Sequence, residues 1–320
     1  MRIGVVSSIY MDRPLDQALD RISEAGLRTV EIGAAGNFPK VHCDAGALLA
    51  DEGLYRRFAE VITRREFEVS ALAIHGNPLH PDEAISGLWG KDYRDACRLA
   101  ERLGVGRLTL MAGLPGAGPA DKHPNWIVYP FPAAFTEALR WQWEERVLPY
   151  WTEAGRIATD HGLRLCFEMH PNDVVFNPAT LLRLREAVGP VIGCNLDPAH
   201  LFWQGIDVIE AIWHLGPAIY HVHAKDTAMH EHISRVDGVL DPKPFAQGNQ
   251  RSWLFRTLGY GHDLKFWKEF ASTLRLVGYD DVISIEHVDA LLSADEGFGR
   301  AIALLREVLM FEKTTKLWWD

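Results

Sequence analysis

Eight short β-rich runs, most of them followed by a stretch with helical spacing, constrain this chain more than any other feature. They are Ile3–Ser7, Thr29–Gly33, Val69–His75, Arg107–Met111, Leu163–Glu168, Val191–Asp197, Ala218–His223 and Asp281–Glu286. Between the first two, Leu15, Ala18, Leu19, Ile22 and Ala25 fall on one helical face, with Pro14 at its start and Gly26 past its end. Asn177 and Pro178 open a helix that Gly189 closes, and Asp263 precedes Leu264, Trp267, Phe270, Leu274 and Val277 before Gly278. Strand and helix alternating without a break in composition predict a parallel sheet with helical crossovers, and eight such units close into a (β/α)8 TIM barrel. A doubly wound sheet would place a glycine-rich loop after the first strand, where Ser7-Ser8-Ile9-Tyr10-Met11-Asp12 stands instead. The expectation is one domain over residues 1–320 with long connections at about 112–132 and 226–262, lying as lids over the C-terminal mouth where barrels build their sites.

Charge and apolar content narrow the function classes. With 43 acidic and 33 basic side chains the formal charge is −10, which argues against neutralising a nucleic-acid backbone. No apolar run approaches the ~20 residues of a bilayer span, so no membrane role is expected and the chain reads as cytoplasmic. Cys43, Cys97, Cys166 and Cys194 are too dispersed for a CxxC pair and read as buried free thiols. Among eleven tryptophans, Trp126 and Trp253 fall in the long connections, where a ring can stack on a sugar, and Trp318-Trp319 suggests a subunit contact. A homo-oligomer is expected, with a hetero-oligomer as the alternative.

The late strands end in metal-ligand chemistry: Phe167-Glu168-Met169-His170, Asn195-Leu196-Asp197-Pro198-Ala199-His200, His221-Val222-His223-Ala224-Lys225-Asp226 and Ile285-Glu286-His287. As barrel neighbours, strands five to eight bring Glu168, Asp197, His223 and Glu286 to one spot. Three carboxylates that close raise one another's pKa unless a cation joins them. Oxygen-rich ligation without thiolate suits a single divalent ion, Mn²⁺ first, with Mg²⁺, Co²⁺ or Zn²⁺ as alternatives. Any one of these residues alone reads as a solvated loop group or a packed histidine, but six of the fourteen histidines sit at or just past strand ends. His75, His170, Lys225 and Arg256 are candidates for holding substrate hydroxyls or an acidic group at the mouth, Lys225 and Arg256 being equally suited to ion pairs with loop carboxylates. His221 faces the same side as His223 and reads slightly better as packing than as a residue orienting a ligand.

These strand ends, with His75-Gly76-Asn77-Pro78-Leu79-His80-Pro81 and Trp203-Gln204-Gly205-Ile206-Asp207, resemble the xylose isomerase-like barrel superfamily of sugar isomerases and epimerases, over essentially the whole chain. The resemblance implies metal ligation by Glu168, Asp197, His223 and Glu286, proton transfer by Glu168 and Glu286, and substrate contact by His200. One departure stands out: the ketose 3-epimerases carry an Arg six residues beyond the ligand His, where this chain has Met229.

A C–H beside a sugar carbonyl is too weak an acid for a carboxylate alone, so the cation must polarise the carbonyl. One glutamate then removes the proton and the other returns one, giving an epimer or an isomer according to the carbon that receives it. The leading expectation is a metal-dependent sugar or keto-sugar isomerase or epimerase acting through an enediolate. The alternative is a 3-keto-glycoside (C-glycoside) lyase that starts with the same proton abstraction and expels a group at the β-carbon. Less favoured are a non-catalytic sugar-binding subunit and an apurinic-site endonuclease with three zinc ions, which the acidic charge opposes. No glycine-rich phosphate cradle is present, so a free or oxidised sugar is preferred to a sugar phosphate.

Overall fold

The eight expected strands close on themselves. In the computed structural model, which describes residues 1–316, 318 and 319, the barrel strands are β1 (Arg2–Val6), β2 (Thr29–Gly33), β3 (Glu68–Ala73), β4 (Arg107–Leu110), β5 (Arg164–Glu168), β6 (Ile192–Leu196) and β7 (Ile219–Ala224). After a hairpin of β8 (Asp226–Met229) and β9 (Trp253–Arg256), β10 (Val282–Ile285) completes the ring between β7 and β1. All neighbours in the ring are parallel. Helices cover the outside, and the expected punctuation is where the spacing put it. Leu15, Ala18, Leu19 and Ile22 are the buried face of a helix over Leu15–Glu24. Asn177 caps Pro178–Val188, its side chain accepting from the Thr180 amide at 3.0 Å, and Asp263 caps Leu264–Leu276 in the same way.

Close approach decides residue identity where β6 meets β7. A Cβ on Gly193 would lie 2.0 Å from the Tyr220 ring, so only glycine lets that ring lie over the strand. The four cysteines are buried and unpaired, as their dispersal implies. Among the described residues no helix is long and apolar enough to cross a membrane.

The two long connections are tied down rather than loose. Gln142, in a π-type turn that interrupts the helical stretch 133–160, donates to the carbonyls of Gly116 (3.0 Å) and Asn125 (2.7 Å), and Trp151 donates to that of Ala112 (2.9 Å). The 226–262 connection, read from sequence as one long loop, holds the antiparallel β8–β9 pair. Four-residue strands lack the length to show alternation, which is why this hairpin does not stand out in the sequence.

Asp226 anchors its return. Its buried side chain accepts from the amides of Gly259, Gly261 and His262 at 3.1, 2.9 and 3.0 Å, and the His262 Nδ1 lies 2.7 Å away. Gly261 has no room for a side chain, since a Cβ would sit 2.1 Å from the Thr227 carbonyl oxygen. Replacing Asp226 by Ala removes the shared acceptor of the Gly259, Gly261 and His262 donors, which are only part-buried, and we expect it to lower unfolding free energy in urea by about 1–3 kcal/mol. Hydrogen exchange at the Gly259 and Gly261 amides should accelerate with it.

Candidate metal centre

A parallel barrel points the C-terminal ends of all its strands at one mouth, and four of them deliver ligand-type groups there. Glu168 ends β5, Asp197 follows β6, His223 is the penultimate residue of β7, and Glu286 follows β10. One ligand atom from each lies within 4.8 Å of the others. Glu168, Asp197 and His223 are buried, whereas the Glu286 side chain keeps 15% of its surface open and is the member of the set that solvent reaches.

Counter-charges surround the carboxylates. Lys225 Nζ lies 3.0 Å from both Asp197 Oδ2 and Glu286 Oε2. His200 Nε2 is 3.1 Å from Glu168 Oε1 and 3.2 Å from Asp197 Oδ2, and His223 Nδ1 is 3.3 Å from Glu168 and 3.2 Å from Glu286. Burial pushes the Glu168 carboxyl up, but hydrogen bonds from His200, His223 and His75 outweigh it and hold it well below the usual range. Glu286 is likewise lowered against its burial, mainly by the charge of Lys225. Burial pulls His223 and Lys225 down, and the carboxylates around them reverse this and raise both.

The donor set fits a divalent cation. Three oxygen donors and one imidazole nitrogen, converging in a buried site without thiolate, are what Mn²⁺, Mg²⁺ or Zn²⁺ can share. Two further polar features point the same way: the Asn195 Oδ1 is buried without a hydrogen-bond partner, and Asn195 Nδ2 lies 3.3 Å from Glu168.

The other residues singled out from sequence fall into two groups. His75, His170, His200 and Lys225 line the quartet: His75 Nε2 is 3.3 Å from Glu168, and the His170 ring stands 4.2 Å from that of His200. Arg256 takes the ion-pair option, with Nε 3.1 Å from Asp289 and its guanidinium over Tyr260. Trp253 is stacked on Trp203 at 4.7 Å and buried, so its face is already taken, while Trp126 packs edge-on against Phe176. Trp318 and Trp319 are exposed. Met229 is paired with Trp253 in the hairpin ladder, which places it in a strand rather than a free loop.

Sequence reasoning passed over Glu31, Thr109, Asn195 and Ser284, which join His221 and His223 in a continuous buried hydrogen-bonded group. His221 is fully buried in the barrel interior, and its Nε2 lies 2.7 Å from Glu31. The one available signal was Glu31 itself, an acidic residue inside an otherwise apolar run, Val30-Glu31-Ile32.

His170 gives the site a pH signature. Burial, with the nearby charges of His200 and Lys225, lowers its pKa to about 3. The unfolded chain takes up that proton near pH 6.5 and the folded one does not. Stability is therefore present above 6.5 and falls as pH drops from there toward about 3. His170→Gln should flatten this fall by up to roughly 1 kcal/mol per pH unit relative to wild type, read from urea midpoints between pH 7 and 5.

Comparison with known proteins agrees with the barrel fold. A family model described as Xylose isomerase-like TIM barrel matches residues 19–308. The chain is 35% identical over 316 residues to "Uncharacterized protein YfiH" of Bacillus subtilis (strain 168), covering 97% of this chain and 99% of that protein. Among solved structures it is similar to the probable 3-DHS dehydratase AsbF of Bacillus anthracis (TM-score 0.66, 16% identity, 96% and 99% of the two chains). It is also similar to D-psicose 3-epimerase of Clostridium cellulolyticum H10 with D-tagatose (TM-score 0.65, 14% identity, 97% and 99%). At these identities the structural likeness shows the fold alone.

Proposed function

The chain belongs to the xylose isomerase-like TIM barrel family, and from that premise we propose that it is a divalent-metal-dependent isomerase or epimerase of a sugar or keto-sugar. The observation that carries the reading is the convergence of Glu168, Asp197, His223 and Glu286, with two glutamates among four donors within 4.8 Å. A pure binding protein needs a cation but not a second glutamate beside it.

When bound, the cation supplies Lewis-acid polarisation of the substrate carbonyl. The chain's own residues do the rest. Glu168, held ionised by three imidazoles in a buried pocket, is fit to take the proton from the carbon beside that carbonyl. Glu286, the most solvent-accessible of the four and braced by Lys225, faces it across His223 and is fit to return a proton. His75 and His200 hold Glu168 in position and offer ring nitrogens to substrate hydroxyls. The two cations first considered for an anionic group, Lys225 and Arg256, are both committed to carboxylates. That favours an uncharged sugar over a sugar phosphate. Manganese remains the preferred ion in this proposal, and a homo-oligomer its preferred assembly, with Trp318 and Trp319 exposed for contact.

The test is solvent-deuterium exchange over a panel of ketoses and 3-keto-sugars, with and without Mn²⁺. Wild type should place deuterium at the carbon beside the carbonyl only with the ion present. Glu168→Gln and Glu286→Gln should each lower the rate by about 10²–10⁴-fold. Exchange that survives both substitutions removes the proposal, and release of a leaving group in place of an exchanged sugar assigns elimination instead.

A further inference from the structure

Beneath the four donors lies a second buried polar group that the proposed reaction does not use. Glu31, on β2, spans the barrel to β7, where its Oε2 is 2.7 Å from His221 Nε2 and 3.0 Å from His223 Nε2. Thr109 of β4 donates its hydroxyl to the other carboxyl oxygen, and Ser284 of β10 places Oγ 3.2 Å from His221 Nε2. Glu31, Thr109, His221, His223 and Ser284 are each 0% exposed, so no water competes for these bonds. Three donors thus converge on one carboxyl group: two imidazole nitrogens and a hydroxyl.

An ionised carboxylate only accepts, so each ring nitrogen facing it carries the hydrogen. For His223 this keeps a proton on Nε2 and leaves Nδ1, which faces Glu168 and Glu286, as the nitrogen that gives up its hydrogen when a cation binds. We infer that Glu31 is a positioning residue that acts through His223, fixing the tautomer and angle at which Nδ1 meets the cation. A carboxylate behind a ligating imidazole also strengthens the imidazole as a donor. Thr109 and His221 hold Glu31 in turn, which gives this polar group a purpose in a barrel interior that apolar side chains would otherwise fill.

Glu31, His221 and His223 also lie close enough together to share a cation themselves. The chemistry disfavours that use. His223 would have to ligate one ion through Nδ1 and a second through Nε2, which requires the imidazole to lose both protons, and Glu31 would lose the two N–H donors that now satisfy it.

The inference rests on the quartet holding a metal, and calorimetric titration of Mn²⁺ into purified full-length protein separates the two ideas. In Glu31→Gln the side chain keeps its size but offers an amide where one imidazole needs an acceptor. We expect the Mn²⁺ Kd to rise about 10–100-fold at an unchanged stoichiometry of one, with a cooperative melt of the metal-free protein. Thr109→Val, which removes only the hold on Glu31, should weaken Mn²⁺ binding in the same direction by a smaller factor, and it serves if Glu31→Gln does not fold. At saturating Mn²⁺, kcat should fall while KM for the sugar holds. Wild-type Mn²⁺ affinity in the folded variants overturns the positioning role alone. Two ions per wild-type chain, one of them lost in Glu31→Gln, overturn it in favour of a second metal site. A wild-type protein that takes up no Mn²⁺ removes this inference together with the metal reading.

Discussion

Three carboxylates in a space of a few ångströms, two of them buried, set the terms for everything else in this molecule. Like charges at such separations repel strongly wherever the effective dielectric is low, and Glu168 and Asp197 are both buried. The chain answers with imidazoles and one ammonium drawn from several strand ends: His75 after β3, His200 after β6, His223 within β7 and Lys225 just after it. Apart from the local contact of His200 with Asp197, these meetings join residues of different strand ends, which the closed parallel barrel brings to one mouth. Closure is therefore more than architecture, since the fold is the condition under which the charges can coexist. A divalent ion in the same place would serve the same end more completely, with two positive charges and no desolvated ammonium to accommodate.

The polar interior continues below the mouth. Barrel interiors are usually packed with branched apolar side chains, and here Val5, Ile32, Leu72, Leu108, Leu165 and Ile283 are buried as expected. Glu31, Thr109, Asn195, His221 and Ser284 break that pattern in one connected patch. Such a network is tolerable only when nearly every member finds a partner, and costly when one is removed. It is a rigid support for His223, a residue that must keep one orientation.

The fold was largely legible because barrel strands repeat a strong local pattern, and all eight runs are strands within a residue or two of their expected ends. The quartet was legible for a related reason. Its members sit at strand ends, and a parallel barrel converts a position along a strand into a position in space. Glu31 was not legible. It lies mid-strand in β2, almost two hundred positions from His221, and only the closure of the ring shows that it points at β7. The β8–β9 hairpin was missed because Asp226-Thr227-Ala228-Met229 carries no alternation and its pairing with Trp253-Leu254-Phe255-Arg256 spans a long excursion. The ion pair between Arg256 and Asp289 was one of two readings the sequence left open, and geometry chose it.

The hairpin also bears on selectivity. Phe255 of β9 stands 4.6 Å from the Lys225 ammonium and its ring 5.2 Å from that of His200, so the connection after β7 contributes an apolar wall directly against the charged cluster. An aromatic face beside buried ions excludes water and strengthens each ionic contact it covers. It is anchored from behind by the Trp203–Trp253 stack and by Arg251 over Phe245. Met229, at the position where the resemblance anticipates an arginine, stands opposite Trp253 in this strand pair. On the proposed function, this side of the mouth offers substrate the apolar Phe255 wall and fixed histidine side chains, a surface suited to the apolar face of a sugar ring.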